Sequence, residues 1–241
     1  MRWADLLICN TERLRQCFSH NYSTAPKKQF LTITNGIDSP IVRPQATPPK
    51  HMARVALHLG GLYGERRIDT FCRALADLTH AGKIDTKLFK VLFIGDNDPS
   101  AIATANRIVP ELVQSKCVEF GTQISWQQGQ EILWNADLLL LFQGGHRLQV
   151  PAKFFEYFQT GKPIFAVAEP GALTDLLDMT NAGIWADPKD AANIGNKFLM
   201  ALKLPTRDPD EIQRQFGEQF HYRNLSGRLA NVIHDLARQH R

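Results

Sequence analysis

The 241-residue chain is 44% hydrophobic and 22% charged, the composition of a globular protein with room for one large domain or one domain with a small appendage. A formal net charge of +4 permits an anionic ligand but is too small and too scattered to argue for nucleic acid. The longest apolar run, around 138–142, is of strand length, far short of the roughly 20 residues a membrane-spanning helix needs.

In chain order, Trp3 to Cys9 reads as a strand, and Asn10 or Thr11 can cap a short helix from Glu12 to Phe18. A buried strand so close to Met1 predicts that the chain begins partway through a larger architecture, and Asp5 interrupts any signal peptide. Residues 19–29 read as a polar loop, Phe30 to Thr34 as a second strand, and Asn35-Gly36 as a turn. Residues 38–50 carry Pro40, Pro44, Pro48 and Pro49 with little apolar content, so a linker and a domain boundary near residue 50 are expected.

Beyond residue 50 strands and helices alternate. Predicted strands cover Arg54–Leu59, Leu88–Ile94, Val118–Phe120, Asp137–Phe142, Pro163–Ala168 and Ala182–Trp185. Helices are predicted at Ile68–His80, Ala101–Val113 apart from Pro110, Gln127–Asn135, from Ala152 to the stop at Gly161, at Leu173–Met179 and at Asp190–Leu202. Residues 210–240 form one or two terminal helices. This alternation predicts an α/β fold, a doubly wound parallel sheet with helices on both faces.

In such a sheet the loops after the strands gather at one edge, where ligands bind. Here those loops are Gly60-Gly61, Gly95-Asp96, Gly121-Thr122, Gly144-Gly145 and Glu169-Pro170-Gly171. Glycine lets a ligand approach the backbone and frees N–H groups for phosphate oxygens, although turn geometry alone also selects it. No GxxxxGK[ST] occurs, and no GxGxxG follows a strand, so neither an ATPase loop nor a dinucleotide fingerprint is supported. The cysteines Cys9, Cys17, Cys72 and Cys117 form no CxxC pair and no metal spacing, which predicts reduced thiols and a cytoplasmic setting.

Arg66 and Arg67 follow the first glycine loop; they suit a diphosphate, or form a solvated surface pair. Lys153 and Glu156 lie three apart on one helix face above a strand end. Lys153 would make the phosphate site two-sided. Glu156 could accept hydrogen bonds from vicinal hydroxyls, or simply pair with Lys153. His146 stands in a glycine loop where it could touch a substrate or only be exposed, and Trp126, Trp134 and Trp185 are expected in the core or at its rim.

Three segments carry a resemblance. Ile33-Thr34-Asn35-Gly36-Ile37-Asp38 resembles the NGxD turn joining the halves of B-type, two-domain glycosyltransferases (GT-B). Leu59-Gly60-Gly61-Leu62-Tyr63-Gly64-Glu65-Arg66 looks like their donor-phosphate loop. Val150-Pro151-Ala152-Lys153-Phe154-Phe155-Glu156-Tyr157 with Gly161-Lys162-Pro163-Ile164 is similar to the VPxKxxEYxxxGKPI segment of the retaining, glycogen-synthase-like members. The match runs from about residue 4 to the C-terminus.

The resemblance implies a Rossmann-like, donor-binding half of a GT-B enzyme over 51–205, preceded by a remnant of the acceptor domain (1–37) and the linker (38–50). Helices over 206–241 would cross back to the acceptor domain. It implies that Arg66 and Lys153 hold the diphosphate of a UDP- or GDP-sugar, that Glu156 holds the ribose, and that the backbone at Gly121-Thr122 meets the base. Gly60 and Gly61 would border the phosphates, and Gly144, Gly145 and His146 would lie near the sugar. Catalysis would rest on Arg66 and Lys153 stabilising the departing diphosphate without a metal or other cofactor. The acceptor would be a glycan, a lipid-linked sugar or a small molecule, with peripheral membrane contact through the missing domain allowed for.

Two departures matter. Many relatives carry a second glutamate eight positions before the Glu156 equivalent, where this chain has Leu148. The resemblance also implies that nearly all of the acceptor-binding domain would be missing. A non-catalytic nucleotide-binding module and a nucleotide-sugar epimerase are therefore the alternative readings.

Overall fold

The computed structural model describes residues 4–22, 30–37 and 53–239. The expected linker 38–50 lies outside the described residues. An N-terminal unit consists of β1 (Leu7–Cys9), α1 (Glu12–Asn21) and β2 (Phe30–Thr32), with the two strands parallel and Leu7 opposite Phe30. Thr11 caps α1 by accepting from the Leu14 amide at 3.1 Å.

The main sheet holds β3 (Arg54–Leu59), β4 (Phe89–Ile94), β5 (Val118–Gly121), β6 (Leu138–Gln143), β7 (Ile164–Ala168) and β8 (Gly183–Ala186). All neighbouring strands run parallel, in the order β5-β4-β3-β6-β7-β8. Parallel strands are covered on both faces and so become nearly continuous apolar runs. Leu138 to Leu141 of β6 and Ile164 to Ala168 of β7 are all buried.

One face packs α2 (Asp69–His80), α3 (Pro99–Ile108), α4 (Pro110–Gln114) and α8 (Ala191–Ala201) around Phe71, Leu75, Phe93, Phe142 and Phe198. The other packs α5 (Trp126–Asn135), α6 (Ala152–Phe158), α7 (Ala172–Thr180) and α9 (Pro209–Phe220) around Leu57, Leu139, Phe154, Phe158 and Phe216. The segment 99–114 divides into two helices where Pro110, which lacks an amide proton, restarts the chain after Val109.

The last helix, α10 (Tyr222–Gln239), returns to the N-terminal unit, where Arg228 Nη2 donates to the Thr32 carbonyl at 3.2 Å. Ile37 is buried and brackets the α9–α10 junction, donating to the Phe220 carbonyl at 2.7 Å and accepting from the Tyr222 amide at 3.0 Å. Among the described residues no helix is long and apolar enough to cross a membrane.

Candidate functional site

Strand order reverses direction between β3 and β6, and there the sheet opens. β3 pairs with β4 over six residues but with β6 over only two, Ala56 with Leu138 and Leu57 with Leu139. Continued in that register, the next bond would run from the Leu59 amide to the Leu140 carbonyl. Two side chains take these groups instead. The Tyr157 hydroxyl accepts from the Leu59 amide at 2.7 Å and donates to the Leu59 carbonyl at 3.1 Å. His58 Nδ1 lies 2.9 Å from the Leu140 carbonyl. An oxygen can only accept, so this nitrogen carries the proton. Burial leaves the Tyr157 phenol raised above its ordinary range, so it stays protonated.

Above this opening lies a cleft of about 270 Å³ lined by the β3 loop (Gly60, Gly61, Tyr63), the β4 loop (Gly95, Asp96), the start of α5 and the α6 pair Lys153 and Glu156. The first two loops are pressed together: a Cβ on Gly95, whose φ is +146°, would sit 2.4 Å from the Gly60 carbonyl. Gly60 has φ +143°, and a Cβ there would meet Lys153 Cε at 3.3 Å, so the lysine stem lies across its bare backbone.

α6 holds Lys153 and Glu156 firmly. Phe154, Phe155, Tyr157 and Phe158 are all buried, each such ring contributing roughly 1.5–3 kcal/mol to packing. Only the face carrying Lys153 and Glu156 is left toward the cleft. Lys153 Nζ and Glu156 Oε2 are 2.8 Å apart, with side chains 35% and 42% exposed. The pairing that the sequence left open is therefore present. At this exposure it stabilises the chain by at most about 1 kcal/mol, so either partner can exchange it for a ligand contact.

The two arginines part company. Arg67 is exposed and pairs with Asp69 at 3.1 Å. Arg66 turns inward: Nη1 donates to the Gly61 carbonyl at 2.9 Å, and its guanidinium lies 4.3 Å from the centre of the Tyr63 ring. Arg66 and Lys153 both stand close enough to His58 for their charges to oppose its protonation. Desolvation first, and then these cations, hold the His58 imidazole down at about 4.

The cleft thus brings Gly60, Gly61, Lys153 and Glu156 together, with Arg66 joined to it through the Gly61 carbonyl. Gly121 and Thr122 stand just behind it. The Gly121 carbonyl accepts from Gly95 N at 3.2 Å and Asn97 Nδ2 at 3.0 Å, while the adjoining Gln123 and Ile124 line the wall. Gly144 and Gly145 lie against Glu65, the neighbour of Arg66. His146 does not reach the cleft; it faces Gln143, Arg147 and Glu169 instead.

One expectation needs correction. Trp126 is 70% exposed on the lip of the cleft, not packed in the core. It opens α5 directly after the Ser125 cap, whose hydroxyl accepts from the Gln128 amide at 3.3 Å and aims this turn at the sheet edge. His58, Gln130 and Tyr157 are further residues of this region that the sequence left without a role. Among the described residues no group of three or more His, Cys, Asp and Glu is placed to hold a metal ion.

No family model and no curated protein matches the chain. Solved structures do match. WaaG, a glycosyltransferase involved in lipopolysaccharide biosynthesis, superposes with a TM-score of 0.69 at 19% identity, over 94% of this chain and 62% of that one. Sucrose-phosphate synthase from Thermosynechococcus elongatus gives 0.72 at 18% identity, over 98% and 59%. Anabaena HepE in complex with UDP gives 0.68 at 17% identity, over 97% and 65%. The chain has the Rossmann-like fold of these glycosyltransferases, as for a C-terminal GT-B domain, and spans less than two thirds of the length of each.

Proposed function

We propose that the cleft binds a nucleoside-diphosphate sugar and that the chain is the donor half of a glycosyltransferase. The observation that carries the reading is the meeting of two cations and a bare glycine backbone at the switch point of the sheet. Lys153 lies over Gly60, and Arg66 is tethered to Gly61. Glu156, on the same face of α6 as Lys153, takes the ribose hydroxyls, while the loop after β5 and Trp126 border the base.

In transfer, bond breaking leaves negative charge on the departing diphosphate, and Arg66 and Lys153 stabilise it there. These side chains do the work without a metal ion, so an excess of EDTA should leave nucleotide binding unchanged. The anomeric sugar lies toward Gly144 and Gly145, which stand against Glu65 beside Arg66. Calorimetric titration with UDP and GDP should show micromolar to millimolar binding, weakened at least tenfold in Lys153→Ala and in Arg66→Ala. Equal affinity in both variants and the parent refutes the assignment.

The non-catalytic reading has one specific observation behind it: position 148, where the resemblance to glycogen-synthase-like enzymes leads to the expectation of a glutamate, is a leucine whose carbonyl accepts from the Thr11 hydroxyl at 2.5 Å. Donor hydrolysis separates the two. An enzyme releases free sugar from its donor slowly, and a binding module releases none.

A further inference from the structure

His58 is a charged-capable group in an unusual place. It is only 3% exposed, under the β3 loop, between the rings of Phe93 and Phe142 at 6.2 and 5.5 Å. Its Nδ1–H is committed to the Leu140 carbonyl, so the neutral ring has a bare lone pair on Nε2. That atom has no hydrogen-bond partner and lies 4.0 Å from the position a Cβ on Gly60 would take. A buried polar atom without a partner is costly and calls for a reason.

The Gly61 carbonyl supplies one. It favours the protonated ring, yet it makes no hydrogen bond to the neutral one, and it is occupied by Arg66 Nη1. The charged groups around the ring are Arg66 from the loop, Lys153 with its partner Glu156 from α6, and Asp96 from the β4 loop across the cleft. Its strand neighbours offer only uncharged phenyl rings and the Leu140 carbonyl.

We propose that His58 is a positioning residue beneath the anion loop, and that it takes up a proton when a diphosphate settles against Arg66 and Lys153. The inference rests on the donor-site reading. An incoming anion offsets the two positive charges that oppose protonation and draws Arg66 away from the Gly61 carbonyl. A proton from solvent then binds Nε2, the ring becomes imidazolium, and Nε2–H donates to that carbonyl. The loop is held in its ligand-bound shape from below. Lysine and arginine read the ligand from above; the histidine registers that it has arrived.

The consequence is a proton count. Nearby like charges depress a pKa by about one pH unit or more, so their neutralisation returns at least that much. From a starting value of about 4, binding at about pH 5 should take up about 0.4 proton per ligand and be about twofold tighter than at about pH 7. The probes are UDP-glucose and GDP-mannose, whose diphosphate diesters do not titrate in this range.

Titrations of the full chain in buffers of different ionisation enthalpy give the uptake directly. His58→Asn keeps a donor for the Leu140 carbonyl but cannot titrate, and its proton uptake should fall to that of the remaining groups. Should His58→Asn not fold, ring NMR of the parent with and without UDP-glucose reads the same quantity as an upward move of the His58 titration. Equal proton counts in parent and variant, or a His58 titration that ligand does not move, overturns the inference while leaving the donor site standing. Absence of binding by either nucleotide sugar removes both.

Discussion

Replacing Tyr157 by Phe tests how the β3 loop is held. The ring fits the same space, but the hydroxyl that both accepts from and donates to Leu59 is lost. Because β6 has already diverged, no strand partner stands ready for either backbone group. Tyr157 is fully buried, and each of the two unpaired buried polar groups costs about 1–3 kcal/mol, so the loss should be about 2–6 kcal/mol. For a chain of this size that lowers the melting temperature by about 4–24 °C. Urea unfolding followed by circular dichroism should show an earlier midpoint with an unchanged slope. Gly60 directly follows Leu59, so nucleotide affinity should fall as well. A stability change under about 0.5 kcal/mol, within the scatter of neutral surface substitutions, would refute the claim that Tyr157 closes the sheet at the switch point.

Gly95→Ala should destabilise the chain and weaken nucleotide binding together, since its Cβ would meet the Gly60 carbonyl at 2.4 Å in a backbone conformation with φ +146°; thermal melts and calorimetry on the same sample check both. His58 makes stability depend on pH with a definite sign. Its folded value of about 4 lies below the ordinary 6.5, so as pH falls through that window the unfolded chain binds the proton and the folded chain does not. Stability should decline across it by about 3 kcal/mol, and the decline should shrink in His58→Asn, as read by urea midpoints at successive pH values. Burial pushes the Cys72 thiol up to about 12 and Cys117 to about 11, and Cys9 is also buried. A thiol reagent should therefore modify Cys17 first in the native chain and the others only on unfolding. Asp175→Ala, which removes the partly exposed ion pair with Arg13, should cost less than about 1 kcal/mol in the same unfolding assay.

Much of the architecture was legible because it is written locally. Apolar runs of strand length separated by helical patterns give a parallel sheet, and glycines at strand ends mark the edge where its loops gather. Lys153 and Glu156 were legible for the same reason: three residues apart on a helix means one face. Tyr157 and His58 were not. Their roles arise where β3 and β6 diverge, through bonds between positions 98 and 82 residues apart, and no local pattern encodes that gap. Trp126 was expected in the core or at its rim because its large apolar ring favours packing, whereas the Ser125 cap turns it to the cleft lip, 70% exposed. His146 shared a glycine loop with residues beside Arg66, but the chain reverses there and carries it toward Arg147 and Glu169.

The most direct test is to watch the backbone itself. In the full chain labelled with ¹⁵N-glycine, saturating UDP should shift the amide signals of Gly60, Gly61 and Gly95, which border the cleft, and leave Gly183 and Gly195, remote from it, in place. Shifts confined to glycines away from the sheet's switch point, or none at all under saturating nucleotide, would contradict a diphosphate gripped between Lys153 and Arg66.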